Sequence, residues 1–127
     1  MAHDLPAGLL DFIHHCIPTL NAAEVLLFFA AHPDRAFKPE EIVVGMRPLT
    51  VTVPAVKEYL ARFVETGLIE KRQDAYTYDP GSPALENAIG ELGRAYNERP
   101  VTLIGAIYRI ADSKIQSFSD SFKLRDD

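Results

Sequence analysis

The sequence predicts a mainly α-helical protein with one small β-hairpin. Apolar residues recur at helical spacing through most of the chain. A single pair of β-prone runs, "LIEKR" and "AYTYD", follows Gly67. Pro and Gly cut the rest into helix-length pieces. With 127 residues and 47% hydrophobic content, the chain has the size of one compact domain with a real core. It divides at Pro80 into residues 1–80, which hold the first helices and the hairpin, and a helical extension over 81–127.

The first helix is expected from Leu5 to Ile17, with Leu9, Leu10, Ile13, Cys16 and Ile17 on one face and Asp11, His14 and His15 largely opposite. Pro18 ends it. In "NAAEVLLFFAAHPD" Asn21 precedes Glu24 by three residues, the spacing of a capping box, so a strongly apolar second helix should run from there to about Ala31. A short third helix spans about Lys38 to Gly45 or Met46, with Pro39 in its first turn and Glu40 and Glu41 at its positive end. After the turn "RPLT", Thr52 is the expected N-cap of a helix that buries Val53, Val56, Leu60, Phe63 and Val64 and stops at Gly67. A two-residue loop at Gln73 and Asp74 would set Lys71 opposite Tyr76 and Ile69 opposite Tyr78. Tyr76 and Tyr78 read more simply as strand residues covering the core than as stacking platforms for bases. Beyond "DPGSP", Ser82 and Pro83 start a helix carrying Leu85, Ile89, Leu92 and Tyr96. Pro100 starts another, to about Ala111, and a weaker last helix would place Ile115, Phe118 and Phe122 together.

Composition narrows the function. No apolar run is long enough to span a membrane, and "MAHDLPAGLL" lacks the basic and apolar regions of a signal peptide, so a cytoplasmic protein is expected. Cys16 is the only cysteine and cannot form an internal disulfide. It lies on an apolar face, where a thiol behaves as a small hydrophobe. His14, His15 and Cys16 are sequence neighbours that a helix points apart, and His3 and His32 complete no ligand spacing, so no metal site is expected. Neither a nucleophile motif nor a nucleotide-binding loop occurs, which predicts a non-enzyme without cofactors. Net charge is −5, with 7 basic and 11 acidic residues up to Pro80 and 6 and 7 after it. A basic surface for nucleic acid must therefore be local.

The stretch "FKPEEIVVGMRPLTVTVPAVKEYLARFVETGLIEKRQDAYTYDP" resembles the winged helix-turn-helix of bacterial transcriptional regulators, broadly the MarR-like proteins. The resemblance rests on Pro39-Glu40-Glu41-Ile42, on the Val53/Val56/Leu60 spacing, and on Gly67-Leu68-Ile69 leading through Lys71-Arg72 to an aromatic returning strand; it covers roughly residues 20–80. It implies DNA binding and transcription regulation in the cytoplasm, with the exposed start of the recognition helix in the major groove and the wing on the backbone. The positions implied are Thr50, Thr52, Ala55, Lys57, Glu58 and Arg62 on the helix side and Lys71, Arg72 and Gln73 on the wing. Of these, Thr50, Thr52, Lys57, Arg62, Lys71, Arg72 and Gln73 carry donors that suit phosphate or base edges. Glu58, Glu65 and Asp74 depart from a DNA-facing surface, and the same cations would equally serve as a solvated face.

The C-terminal helices carry more apolar surface than one small core absorbs. Leu85, Ile89, Leu92, Tyr96, Leu103, Ile104, Ile107 and Tyr108, with Gly90 and Gly93 allowing close approach, would build a homodimer interface or fold back on their own domain. The expected function is a dimeric DNA-binding transcriptional regulator. The alternative is a winged helix used for protein contact without DNA, with Phe118 and Phe122 meeting the partner.

Overall fold

The computed structural model describes the backbone of residues 5–126 and the side chains of residues 5–114. His3, and the side chains of Ile115, Phe118 and Phe122, lie outside the described residues. The structure is mainly helical, with six helices and a small three-stranded antiparallel sheet.

Helix α1 (Ala7–Cys16) buries Leu9, Phe12, Ile13 and Cys16 and ends before Pro18. Helix α2 (Leu20–Ala31) leaves it at 102°. The cap of α2 differs from the expected one. Thr19, not Asn21, starts the helix, its Oγ1 accepting from the Ala22 amide at 3.1 Å. The Thr19 hydroxyl also donates to the Tyr59 hydroxyl at 3.1 Å, so the cap is tied to a distant helix, and Glu24 is left for another partner. Ala22, Ala23, Val25, Leu26 and Phe29 are all fully buried. That explains the continuous apolarity of α2: it is the central helix, packed against both α4 and α5.

A two-residue strand, β1 (Ala36–Phe37), follows, and the sequence reading lacked it. Helix α3 (Pro39–Gly45) starts with Pro39 at its first position, and the Lys38 amide donates to Glu41 Oε1 at 2.7 Å. Ile42 is its fully buried anchor. Helix α4 (Val53–Glu65) has the expected Thr52 cap, whose Oγ1 accepts from the Ala55 amide at 3.2 Å. Val56, Leu60 and Phe63 are completely buried, whereas Val64, assigned to the same face from spacing, is exposed. Gly67 at φ 82 closes the helix in a left-handed turn: the Leu68 amide donates to Phe63 O at 2.9 Å and the Gly67 amide to Val64 O at 3.2 Å. This double bond pattern, with Phe63 and Leu68 in the core, is a Schellman closure that only glycine enters without Cβ strain.

Strands β2 (Ile69–Arg72) and β3 (Ala75–Tyr78) pair in the expected register, Ile69 with Tyr78 and Lys71 with Tyr76. Gln73 takes the left-handed φ of 59 in the two-residue turn. Strand β1 adds to the other side of β3, Phe37 opposite Tyr76, giving the order β1-β3-β2.

Helix α5 (Pro83–Glu98) has the expected Ser82 cap, bonded to the Leu85 amide at 3.2 Å. The next element corrects the two-helix reading: α6 is a single helix, Pro100–Asp126. Its polar stretch around Asp112 and Ser113 weakens amphipathicity but contains no Pro or Gly to break the backbone ladder. Helices α1, α5 and α6 pack together, and their buried side chains join those of α2 and α4 in one core cluster. No single helix among the described residues is long and apolar enough to cross a membrane.

Candidate nucleic-acid interface

Three lysines converge on one side of the sheet. Lys57 stands on the second turn of α4, held there because Val56 and Leu60 bury the opposite side. Lys71 comes from β2; its ammonium lies 5.8 Å from the ring centroid of its cross-strand partner Tyr76, close enough for a modest cation–π attraction. Lys38 enters from the junction of β1 and α3, and its Nζ is 3.5 Å from Asp74 Oδ2 at the hairpin turn. Together with Glu40, Asp74 and Tyr76 they line an open hollow of about 290 Å³. The charged groups lining it are three cations and two carboxylates, so this patch is locally positive on a chain of net charge −5. The exposed Lys38–Asp74 pair is weak and exchangeable.

The remaining expected contacts divide. Thr50, Thr52 and Gln73 are exposed near the start of α4 and at the turn, but the Thr52 hydroxyl already serves as the helix cap. Arg62 does not join Lys57. Five residues on, it is rotated by about 140° around the helix, and its Nη1 donates to His15 O at the end of α1, at 3.4 Å. Lys114 of α6 also donates to that helix end, at His14 O. Two cations thus meet the exposed carbonyls of α1, where positive charge is favourable. Arg72 points to the opposite face from Lys71, as strand alternation requires, and its Nε pairs with Glu70 Oε1 at 3.1 Å. Ala55 is half-buried, and Glu58 and Glu65 are exposed on α4.

Lys38 is the residue that sequence reasoning missed. The available signal was the order Phe37-Lys38-Pro39: a strand residue, a basic residue and a helix start placed together only once β1 pairs with β3.

The apolar set considered for a dimer also divides. Ile89, Leu92, Leu103 and Ile107 are buried inside the chain, and Leu85 and Tyr96 pack against the same core. For these six the structure follows the alternative in which the C-terminal helices fold back on their own domain. Gly93 approaches Leu27 of the chain's own α2. What remains outside is the half-buried Ile104, with Tyr108 at 62% and Val101 at 83% exposure.

Cys16 is buried, and that burial raises its thiol pKa above the ordinary value; a hydrogen bond from Thr66 and the charges of Arg62 and Lys114 oppose the shift. His15 Nδ1 lies 2.9 Å from Asp11 O of its own helix. No group of three or more His, Cys, Asp or Glu side chains among the described residues could hold a metal ion.

Comparison with protein-family models, curated proteins and solved structures returns no match.

Proposed function

We propose that this chain is a non-enzymatic DNA-binding transcriptional regulator, built on a winged helix-turn-helix of the MarR-like kind and acting as a homodimer. In this reading α3 is the positioning helix, α4 the recognition helix and β2–β3 the wing. The observation that carries it is the convergence of Lys38, Lys57 and Lys71 from three separate elements onto one hollow beside the exposed start of α4. That is the arrangement a phosphate backbone needs: cations at the helix and at the wing, with the groove between them. In this reading the exposed Thr50 and Gln73 would add uncharged donors.

The dimer in this reading uses the outer face of α6, where Val101 and Tyr108 are exposed and Ile104 is half-buried. The same exposure favours a second reading, a winged helix that contacts another protein, since isolated Val and Tyr side chains on a long helix suit either partner.

The test is a titration of a genomic fragment pool at several salt concentrations, with wild type, Lys57→Glu and Arg72→Glu. Wild-type affinity should fall steeply as salt rises. Lys57→Glu should lower it at least tenfold and make the log–log salt slope shallower by about 0.9, one phosphate contact. Arg72→Glu should act less, because Arg72 lies on the opposite face of its strand from Lys71 and does not line the hollow. Absence of binding at low salt overturns the DNA reading and leaves protein contact. A strict monomer at high concentration overturns the dimer.

A further inference from the structure

A second hollow lies away from the three lysines and has a different chemistry. It measures about 400 Å³, within the range of small-molecule sites. Leu27 and Phe28 of α2, Met46 and Leu49 of the α3–α4 turn, and Gly93 of α5 form its apolar walls. Its shape is fixed by packing. The Phe28 ring is 4.9 Å from the ring of Phe37 and sits against Gly45, where a Cβ would come within 2.7 Å of it. At Gly93 the missing side chain leaves the wall open, with a Cβ position only 3.4 Å from Leu27 Cδ2.

One charged group enters this hollow. Glu24 is half-buried, and its Oε2 accepts from the Tyr96 hydroxyl at 2.9 Å. The ion pairs Lys38–Asp74 and Arg72–Glu70 lie elsewhere, and among the described residues no Lys or Arg lines this hollow beside the carboxylate. The remaining polar wall is Asn97 and the Tyr96 hydroxyl. Burial of Tyr96, then its hydrogen bond to Glu24 and the carboxylate's charge, raise the phenol pKa, so it stays a donor to Glu24 throughout the neutral range. Oε1 is left as the acceptor. A carboxylate held at the edge of an apolar and aromatic recess is complementary to a cation with an apolar body and repels an anion of the same shape.

We propose that this hollow is a binding site for a small amphiphilic amine: an alkyl or aryl group between Leu27, Phe28 and Leu49, and an ammonium on Glu24. The site stands independently of the DNA reading, since none of its residues lines the three-lysine hollow.

The experiment is an amide chemical-shift titration of the full chain with three probes of matched size: 2-phenylethylamine, 2-phenylethanol and phenylacetate. The amine should shift Leu27, Phe28, Gly93 and Asn97 saturably, with a dissociation constant in the millimolar range or tighter. Its affinity should exceed that of the alcohol by about five- to tenfold, and phenylacetate should bind weakest. Glu24→Gln, which keeps an acceptor for Tyr96, should bring the amine down to the alcohol. Gly93→Leu should remove binding of all probes while the spectrum outside the hollow stays unchanged. Equal affinity for amine and phenylacetate, an unchanged amine affinity in Glu24→Gln, or no saturable shift at these residues overturns the proposal.

Discussion

The two ends of α4 each expose one cation, and the fold employs them differently. Lys57, near the start, opens into a hollow that it shares with Lys38 and Lys71. Arg62, near the end, turns back to His15 O of α1. Both read as solvent-facing positive charge on one amphipathic helix. The difference comes from what stands opposite: the start of α4 faces the hairpin and the N-terminal end of α3, which leave a gap, while its end faces exposed carbonyls that need donors. Charge on a helix face is therefore a poor guide to ligand contact until the neighbouring backbone ends are known.

The comparison can be broken most severely through the side chain that anchors the second half. Phe63 is fully buried and its carbonyl receives the Schellman bond from Leu68. Phe63→Ala should cost about 3–5 kcal/mol, measured by urea denaturation, and so remove a large share of a small domain's stability. A loss below about 1 kcal/mol would mean that the core is not closed here. A milder test is Arg62→Gln. It should lower stability by at most about 1 kcal/mol, the scale of a cation at a solvent-exposed helix end, and leave the DNA salt slope of wild type unchanged. A slope reduced as in Lys57→Glu would place Arg62 among the phosphate contacts and erase the distinction between the two ends.

The smallest expected effect concerns Cys16, beside Arg62 and Thr66. Burial raises its pKa above 9.0 in the folded chain, whereas the unfolded thiol ionises near its ordinary value. The native state therefore binds the proton longer, and its stability is full below pH 9 and falls as pH rises through the raised value. Cys16→Ala should flatten this first part of the alkaline decline in thermal melts. Tyr78 and Tyr96, raised from 10.0 chiefly by burial, sustain the decline at higher pH. An alkaline limb identical to wild type would exonerate the thiol.

Much of this arrangement was legible in the sequence because it depends on local chemistry. The Thr52 and Ser82 caps, the glycine stop at Gly67 and the Lys71–Tyr76 register all follow from residues within a few positions of one another. What escaped depends on distant partners. Thr19 outcompetes Asn21 as a cap and is also bonded to Tyr59 on α4. Strand β1 is two residues long, too short to show alternation, and exists through its pairing with β3. Lys38 joins the candidate site because of that pairing, and Arg62 leaves it because of α1. Ile89, Leu92, Leu103 and Ile107 looked surplus to one core because α1 and α2 could not be seen, from sequence, to cross and require cover.

The strand order β1-β3-β2 carries one more consequence. Because β3 is central, the sheet has two free edges, and an open edge is a template on which another chain can zip a strand. The β1 edge is only two residues long. The β2 edge presents Glu70, Lys71 and Arg72 in succession, all exposed, and a docking strand would have to desolvate a charge at every step. The residues that make this hairpin a candidate for meeting a phosphate backbone are thus also what guards it against aggregation. Neutralising them wholesale would endanger solubility before it reported on binding.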